Sequence, residues 1–185
     1  QFTNPMKIFI ADKYPEAPLD RFTQLDCAVT YNPTVKAADL PGLIAGHKVL
    51  IVRGKEVTAA TLKAADQLAL VLRAGAGVNT IDVKAANALG IFVTNCPGKN
   101  SIAVAELVFA LLLGVDRRIA ENTAALRAHQ WNKKEFSKAD GVYGKTLGII
   151  GVGSIGSEVI TRAKAFGLNV IAWSRSMSPA KAEKL

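Results

Sequence analysis

The ten residues Leu147-Gly148-Ile149-Ile150-Gly151-Val152-Gly153-Ser154-Ile155-Gly156 constrain the fold of this chain more than any other feature. A short apolar run, 146–150, ends in a glycine-rich turn. A helical pattern over 154–166 opens at Ser154, and a second apolar run, 169–173, follows one helix-length later. Two strands joined through a helix must lie parallel, with the connection crossing one face of the sheet. Gly151, Gly153 and Gly156 have the spacing GxGxxG, which chance alone supplies readily in a chain with 15 glycines. The strand before it, the helix it opens and the strand after it are the context that gives the motif weight.

In that context each glycine has a physical role. Gly151 permits the sharp turn, Gly153 lets a pyrophosphate approach the backbone, and Gly156 lets helix and strand pack closely. The helix start, through Ser154 and Ile155, then offers free N–H groups and a partial positive charge to phosphates. The alternative is a plain turn with glycines kept for packing. The dinucleotide type is decided at the end of the second strand, where an NAD site places Asp or Glu to hold the ribose. Here the chain reads Trp173-Ser174-Arg175-Ser176, with no carboxylate adjacent. Ser174, Arg175 and Ser176 suit a 2′-phosphate that an acid would repel, so the reading is NAD(P) with NADP favoured. The alternative is an Arg175 that points into solvent.

Ahead of this unit the chain alternates strand-like and helical segments. Strands are expected over 6–11, 26–30, 48–53, 68–73 and 91–94, and helices over 17–24, 35–45, 58–65 and 81–89. Thr58 and Asn79 read as N-caps, and Gly90 as the residue past a helix end. Five strands alternating with helices predict a flavodoxin-like, doubly wound parallel α/β sheet over residues 1–100. Residues 101–185 then read as a linker helix and the first βαβ unit of a Rossmann nucleotide-binding domain. That second domain is expected to be incomplete, because one βαβ unit does not finish a sheet. The helix is expected to start at Asn100 or Ser101 and run to about His129. Its apolar residues cover more than one face, as in an element packed on two sides. Residues 1–5, ahead of Met6, read as a leader remnant.

The bulk properties exclude several classes. The net charge is +8, but the lysines and arginines are scattered without a dense basic run, which argues against nucleic acid and for anionic small molecules. The longest apolar stretch, 102–115, contains Glu106 and is too short to span a membrane. Cys27 and Cys96 have neither disulfide-framework nor metal-site spacing, so no metal is expected and a reducing cytoplasm fits.

Three further blocks carry a family resemblance. They are Arg73-Ala74-Gly75-Ala76-Gly77-Val78-Asn79-Thr80-Ile81-Asp82, then Gly90-Ile91-Phe92-Val93-Thr94-Asn95, then Asn100-Ser101-Ile102-Ala103-Val104-Ala105-Glu106. With Tyr143-Gly144-Lys145-Thr146 and the glycine-rich turn, this order resembles the D-isomer-specific 2-hydroxyacid dehydrogenases, phosphoglycerate dehydrogenase-like branch, from about Val49 onward. The resemblance implies a two-domain oxidoreductase with its active site in an interdomain cleft. It implies a small anionic 2-hydroxy acid substrate of the 3-phosphoglycerate, hydroxypyruvate or glyoxylate type, and a homodimer formed around the long helix.

Residue by residue, Gly75, Ala76 and Gly77 match a turn that binds the substrate carboxylate through backbone N–H groups. A glycine-rich turn after a strand suits that role, and also suits a sharp turn required by geometry alone. Arg53 and Arg73, at expected strand ends, match arginines near a substrate phosphate, with Lys55 assisting; the alternative is solvated or ion-paired cations. Val104 matches a residue packed on the nicotinamide, and its spacing equally suits a core position. The resemblance also implies a catalytic histidine–carboxylate pair with an arginine. His47 and His129 match no such motif, so no catalytic residue is assigned and the chain is expected to be inactive alone. Ser154 stands where the family often has arginine, a departure expected to weaken pyrophosphate contact. The alternative function is a dinucleotide-sensing, corepressor-like binding protein of the same fold family.

Overall fold

The computed structural model describes residues 5–184, so nearly all of the leader read over 1–5 lies outside the described residues. The chain divides into two compact units, residues 1–99 and 100–185.

The first unit is a five-stranded parallel sheet in the order β2-β1-β3-β4-β5. Its strands are β1 (Met6–Ile10), β2 (Cys27–Tyr31), β3 (Val49–Val52), β4 (Leu70–Arg73) and β5 (Phe92–Thr94). This is the doubly wound order expected of a flavodoxin-like sheet. Alternation along β1 explains the layering. Phe9 faces a core with Leu50, Val52, Val71, Leu40, Leu62 and Ala86, while Ile8 and Ile10 join Ile51 against Leu19 and Phe22 of α1 (Glu16–Gln24). Each fully buried side chain of this kind contributes about 1.5–3 kcal/mol.

α2 (Ala59–Ala64) starts at Thr58, whose hydroxyl accepts from the Thr61 N–H as the sequence predicts. Two expectations are corrected. The segment expected as a helix over 35–45 is instead a 3-10 helix, Ala37–Gly42. Pro41 inside it has no N–H to donate and its ring opposes an α turn. α3 (Val83–Ala88) is capped by Asp82, not Asn79. Asn79 lies in a turn closed by the Ile81 N–H on the Val78 carbonyl, and Ile81 then pairs with Val57, the Val57 N–H donating to Thr80 and the Asp82 N–H to Val57, so the helix starts only past Asp82. Gly90 does sit past the helix end, at φ +70.

In the second unit, α4 (Ser101–Asp116) is followed by α5 (Ile119–Arg127), α6 (Lys133–Phe136), β6 (Thr146–Ile150), α7 (Ser154–Ala165), β7 (Asn169–Trp173) and α8 (Pro179–Glu183). The single helix expected from 101 to 129 is therefore two. Arg118 adopts φ +49 and breaks it. Its guanidinium bonds Glu135 at 2.8 Å and lies 5.0 Å above the Phe136 ring, so tertiary anchoring holds the break where no Gly or Pro marks it.

β6 and β7 pair in parallel, Ile150 opposite Trp173. One face packs Leu147, Ile149 and Val170 beneath Val159 and Ala163 of α7 and Ala105 and Phe109 of α4. The other face leaves Ile150 87%, Ile171 68% and Trp173 60% exposed. α4 likewise buries one side only, with Ile102, Leu107, Leu111 and Val115 exposed. Among the described residues no helix is long and apolar enough to cross a membrane, and no group of His, Cys, Asp and Glu is arranged for a metal ion.

Candidate functional site

The residues singled out in the sequence fall into two groups, one in each unit. In the first unit they lie where the neighbouring strands β3 and β4 end, the edge at which open parallel sheets receive ligands.

Arg73 closes β4, and its guanidinium turns inward. Its Nε donates to the Arg53 carbonyl at 3.1 Å and one terminal nitrogen to the Gly77 carbonyl at 2.7 Å. The turn is pinned further by the Asn95 amide donating to the Ala76 carbonyl at 2.7 Å and by the Cys96 N–H donating to Gly75 at 2.9 Å. With these carbonyls occupied, the N–H groups of Ala76 and Gly77 find no protein acceptor among the described residues. A Cβ on Gly75 would meet the Arg73 guanidinium at an ordinary 3.4 Å, whereas one on Gly77 would crowd the Asn79 side-chain oxygen at 3.2 Å and the Arg73 guanidinium at 3.3 Å. Arg73 thus supports the turn, and Arg53 is the exposed cation beside it.

Asp12, one residue beyond Ala11 at the end of the first strand, went unnoticed in the sequence. One of its carboxylate oxygens accepts from the backbone N–H groups of Arg53, Gly54 and Lys55 at 2.7, 3.1 and 2.9 Å. Burial alone would raise its pKa, but these three N–H groups and the Lys55 ammonium hold the carboxyl below its ordinary value. Lys55, expected to assist with substrate, lies 3.9 Å from Asp12 and donates to the Val35 carbonyl. A carboxylate just past a strand, opposite a loop containing Gly54, is the signal that was available.

In the second unit, the turn from β6 into α7 has the geometry of a phosphate cradle. Gly151 has φ +97, a value L side chains rarely adopt, and its N–H donates to the Trp173 carbonyl at 2.7 Å, binding the turn to the end of β7. Gly156 sits so close to the Gly151 carbonyl that no Cβ fits between them. Gly153 is different: its φ is −94 and a Cβ there would meet nothing within 4 Å. The folded chain gives no reason for glycine at Gly153, whereas an approaching pyrophosphate does. α7 has no side-chain cap, and the N–H groups of Val152 to Gly156 meet no acceptor among the described residues. The turn therefore fits a dinucleotide.

Ser174 follows β7, and Arg175 is exposed with no carboxylate partner among the described residues. The Ser176 hydroxyl accepts from Lys181 at 3.1 Å; that same ammonium donates to the Val152 carbonyl, also at 3.1 Å. Lys181 was not anticipated, because nothing in the sequence shows that α8 folds back to the turn. Val104 lies in the first turns of α4, half-buried and outside the packed cluster of this unit.

Neither histidine has a carboxylate hydrogen-bond partner among the described residues. Both ring nitrogens of His47 are engaged, Nδ1 with the Ile44 and Ala45 carbonyls and Nε2 with Thr30. His129 follows α5 at φ +57 and is exposed.

Known proteins resemble this chain in sequence and fold. The chain is 46% identical over 138 residues to the D-3-phosphoglycerate dehydrogenase of Methanocaldococcus jannaschii, a match covering 74% of this chain and 26% of that protein. A Thermus thermophilus protein of known crystal structure matches with a TM-score of 0.84 at 31% identity, over 94% of this chain and 58% of the other. An acyclic imino acid reductase, solved in complex with NADPH and D-Arg, matches with a TM-score of 0.82 at 28% identity, over 94% and 57%. The chain spans about a quarter to a third of the length of the curated relatives it matches. Residues 8–174 match the model of the D-isomer specific 2-hydroxyacid dehydrogenase catalytic domain, and the chain belongs to that family.

Proposed function

We propose that this chain supplies substrate- and dinucleotide-binding elements of an oxidoreductase that moves a hydride between NAD(P) and a small 2-hydroxy or 2-oxo acid. The observation that carries the reading is the β6–α7 turn, above all Gly153, which the fold itself does not require. In this reading Val152 to Gly156 receive the pyrophosphate through backbone N–H groups, and Ser174, Arg175 and Ser176 hold the adenosine ribose side. The dinucleotide, when bound, supplies or accepts the hydride. The absence of a carboxylate after β7 and the presence of Arg175 support NADP over NAD.

In the first unit, the free N–H groups of Ala76 and Gly77 receive the substrate carboxylate, and Arg53 attracts a second anionic group on it. Phosphorylated and plain 2-hydroxy acids both suit this pair. Val104 is assigned to the nicotinamide side. No catalytic proton carrier is assigned within this chain, and the 185 residues alone are expected to turn nothing over. The exposed apolar face of α4 supports pairing with a second copy.

Titration calorimetry with NADPH and NADH, using Arg175→Ala as control, tests the reading. Tighter NADPH binding that Arg175→Ala abolishes supports it; absence of binding by either dinucleotide overturns it.

A further inference from the structure

Among the described residues, Lys181 is the one charged side chain that joins the glycine-rich turn to the loop after β7. The Ser178 hydroxyl accepts from its backbone N–H at 3.2 Å and fixes the start of α8. From there the side chain runs back to the Val152 carbonyl, 29 residues away in sequence, and to Ser176. Lysine loses side-chain entropy when held in this way, so a solvated surface lysine does not adopt such a pose without compensation. An ammonium has three donors, and only two are used here. Ser176, accepting from Lys181, keeps its own O–H free to donate. Neither Lys181 nor Arg175 meets a carboxylate among the described residues.

The placement has chemical meaning. In a dinucleotide fold the ribose 2′-oxygen lies near the end of the second strand, where an acid would hold a hydroxyl. Ser174 occupies that strand end, Ser176 follows it, and Val152 is the central residue of the GxG turn facing it. The Lys181 ammonium is fixed between these two segments. We infer that Lys181 is a specificity-determining residue that directs its third N–H to the 2′-phosphate of NADP, with Arg175 closing on the same phosphate from the solvent side. This rests on the dinucleotide reading of the turn.

The test compares adenosine 2′,5′-bisphosphate with 5′-AMP, two ligands that differ only in the 2′-phosphate, by calorimetry on the intact chain. The wild type is expected to bind the bisphosphate at least about tenfold more tightly. Lys181→Met is expected to reduce that ratio about tenfold, with 5′-AMP affinity held within about twofold, and Lys181→Arg is expected to restore it. Lys181→Gln keeps a donor for Val152 and Ser176 without the charge, and reads the same ratio if the methionine variant does not fold. A ratio unchanged in Lys181→Met or Lys181→Gln, or a wild type indifferent to the 2′-phosphate, overturns the role of Lys181 and leaves the dinucleotide site standing. A wild type that binds neither ligand overturns the dinucleotide reading and this inference with it.

Discussion

The carbonyl oxygen of Gly151 occupies the space that a Cβ on Gly156 would need. The first turn of α7 therefore packs directly on the strand-to-helix turn, and Gly156→Ala forces backbone apart. That substitution is expected to cost about 1–3 kcal/mol, as overpacking of a tight contact does. Thermal unfolding of the variant checks it.

Gly153→Ala should behave in the opposite way. The position has an ordinary φ and open space around its missing Cβ, so stability is expected to stay within about 0.5 kcal/mol. Dinucleotide affinity is expected to fall tenfold or more, a loss of about 1.4 kcal/mol. Parallel melting and binding curves on the same preparation separate the two effects.

The Asp12 carboxylate organises the loop that carries Arg53. Replacing it with alanine strands three N–H groups and is expected to cost about 1–2 kcal/mol at neutral pH. Because the folded carboxyl is held below its ordinary 3.8, its contribution is full above that value and is lost as pH falls through the lower folded pKa. The stability gap between wild type and Asp12→Ala should therefore narrow in acid, measured by denaturant unfolding from pH 7 downward.

Glu135 provides a second titration. Hydrogen bonds from Lys138 and then Arg118 lower its carboxyl pKa from 4.5 to about 2. The depressed value means that the link from Arg118 to α6 holds above the ordinary carboxylate range and is released as pH falls toward 2. A carboxyl NMR titration is expected to place the Glu135 midpoint well below the ordinary glutamate value of 4.5, and Arg118→Ala to move it back up.

Five strands of the first unit and both of the second were legible because their runs are short, apolar and bounded by turn residues. Thr58 and Gly90 could be read because capping is local chemistry. The rest depended on partners distant in sequence. Asn79 has the right side chain for a cap, but the pairing of Val57 with Ile81 moves the helix start to Asp82. The break at Arg118 is held by Glu135 and Phe136, and no local residue announces it. The bond from Arg73 to the Gly77 carbonyl is a tertiary contact that spacing does not show, and Asp12 and Lys181 act through bonds spanning 41 and 29 residues.

The central claim is that the turn between β6 and α7 receives a dinucleotide pyrophosphate. An amide-resolved NMR titration of this chain with NADPH tests it most directly. The largest shifts are expected at Val152, Gly153, Ser154, Ile155 and Gly156, with smaller ones at Ser174 to Ser176. Saturating NADPH that leaves those five amides unmoved, or moves only residues outside the second unit, would contradict the account.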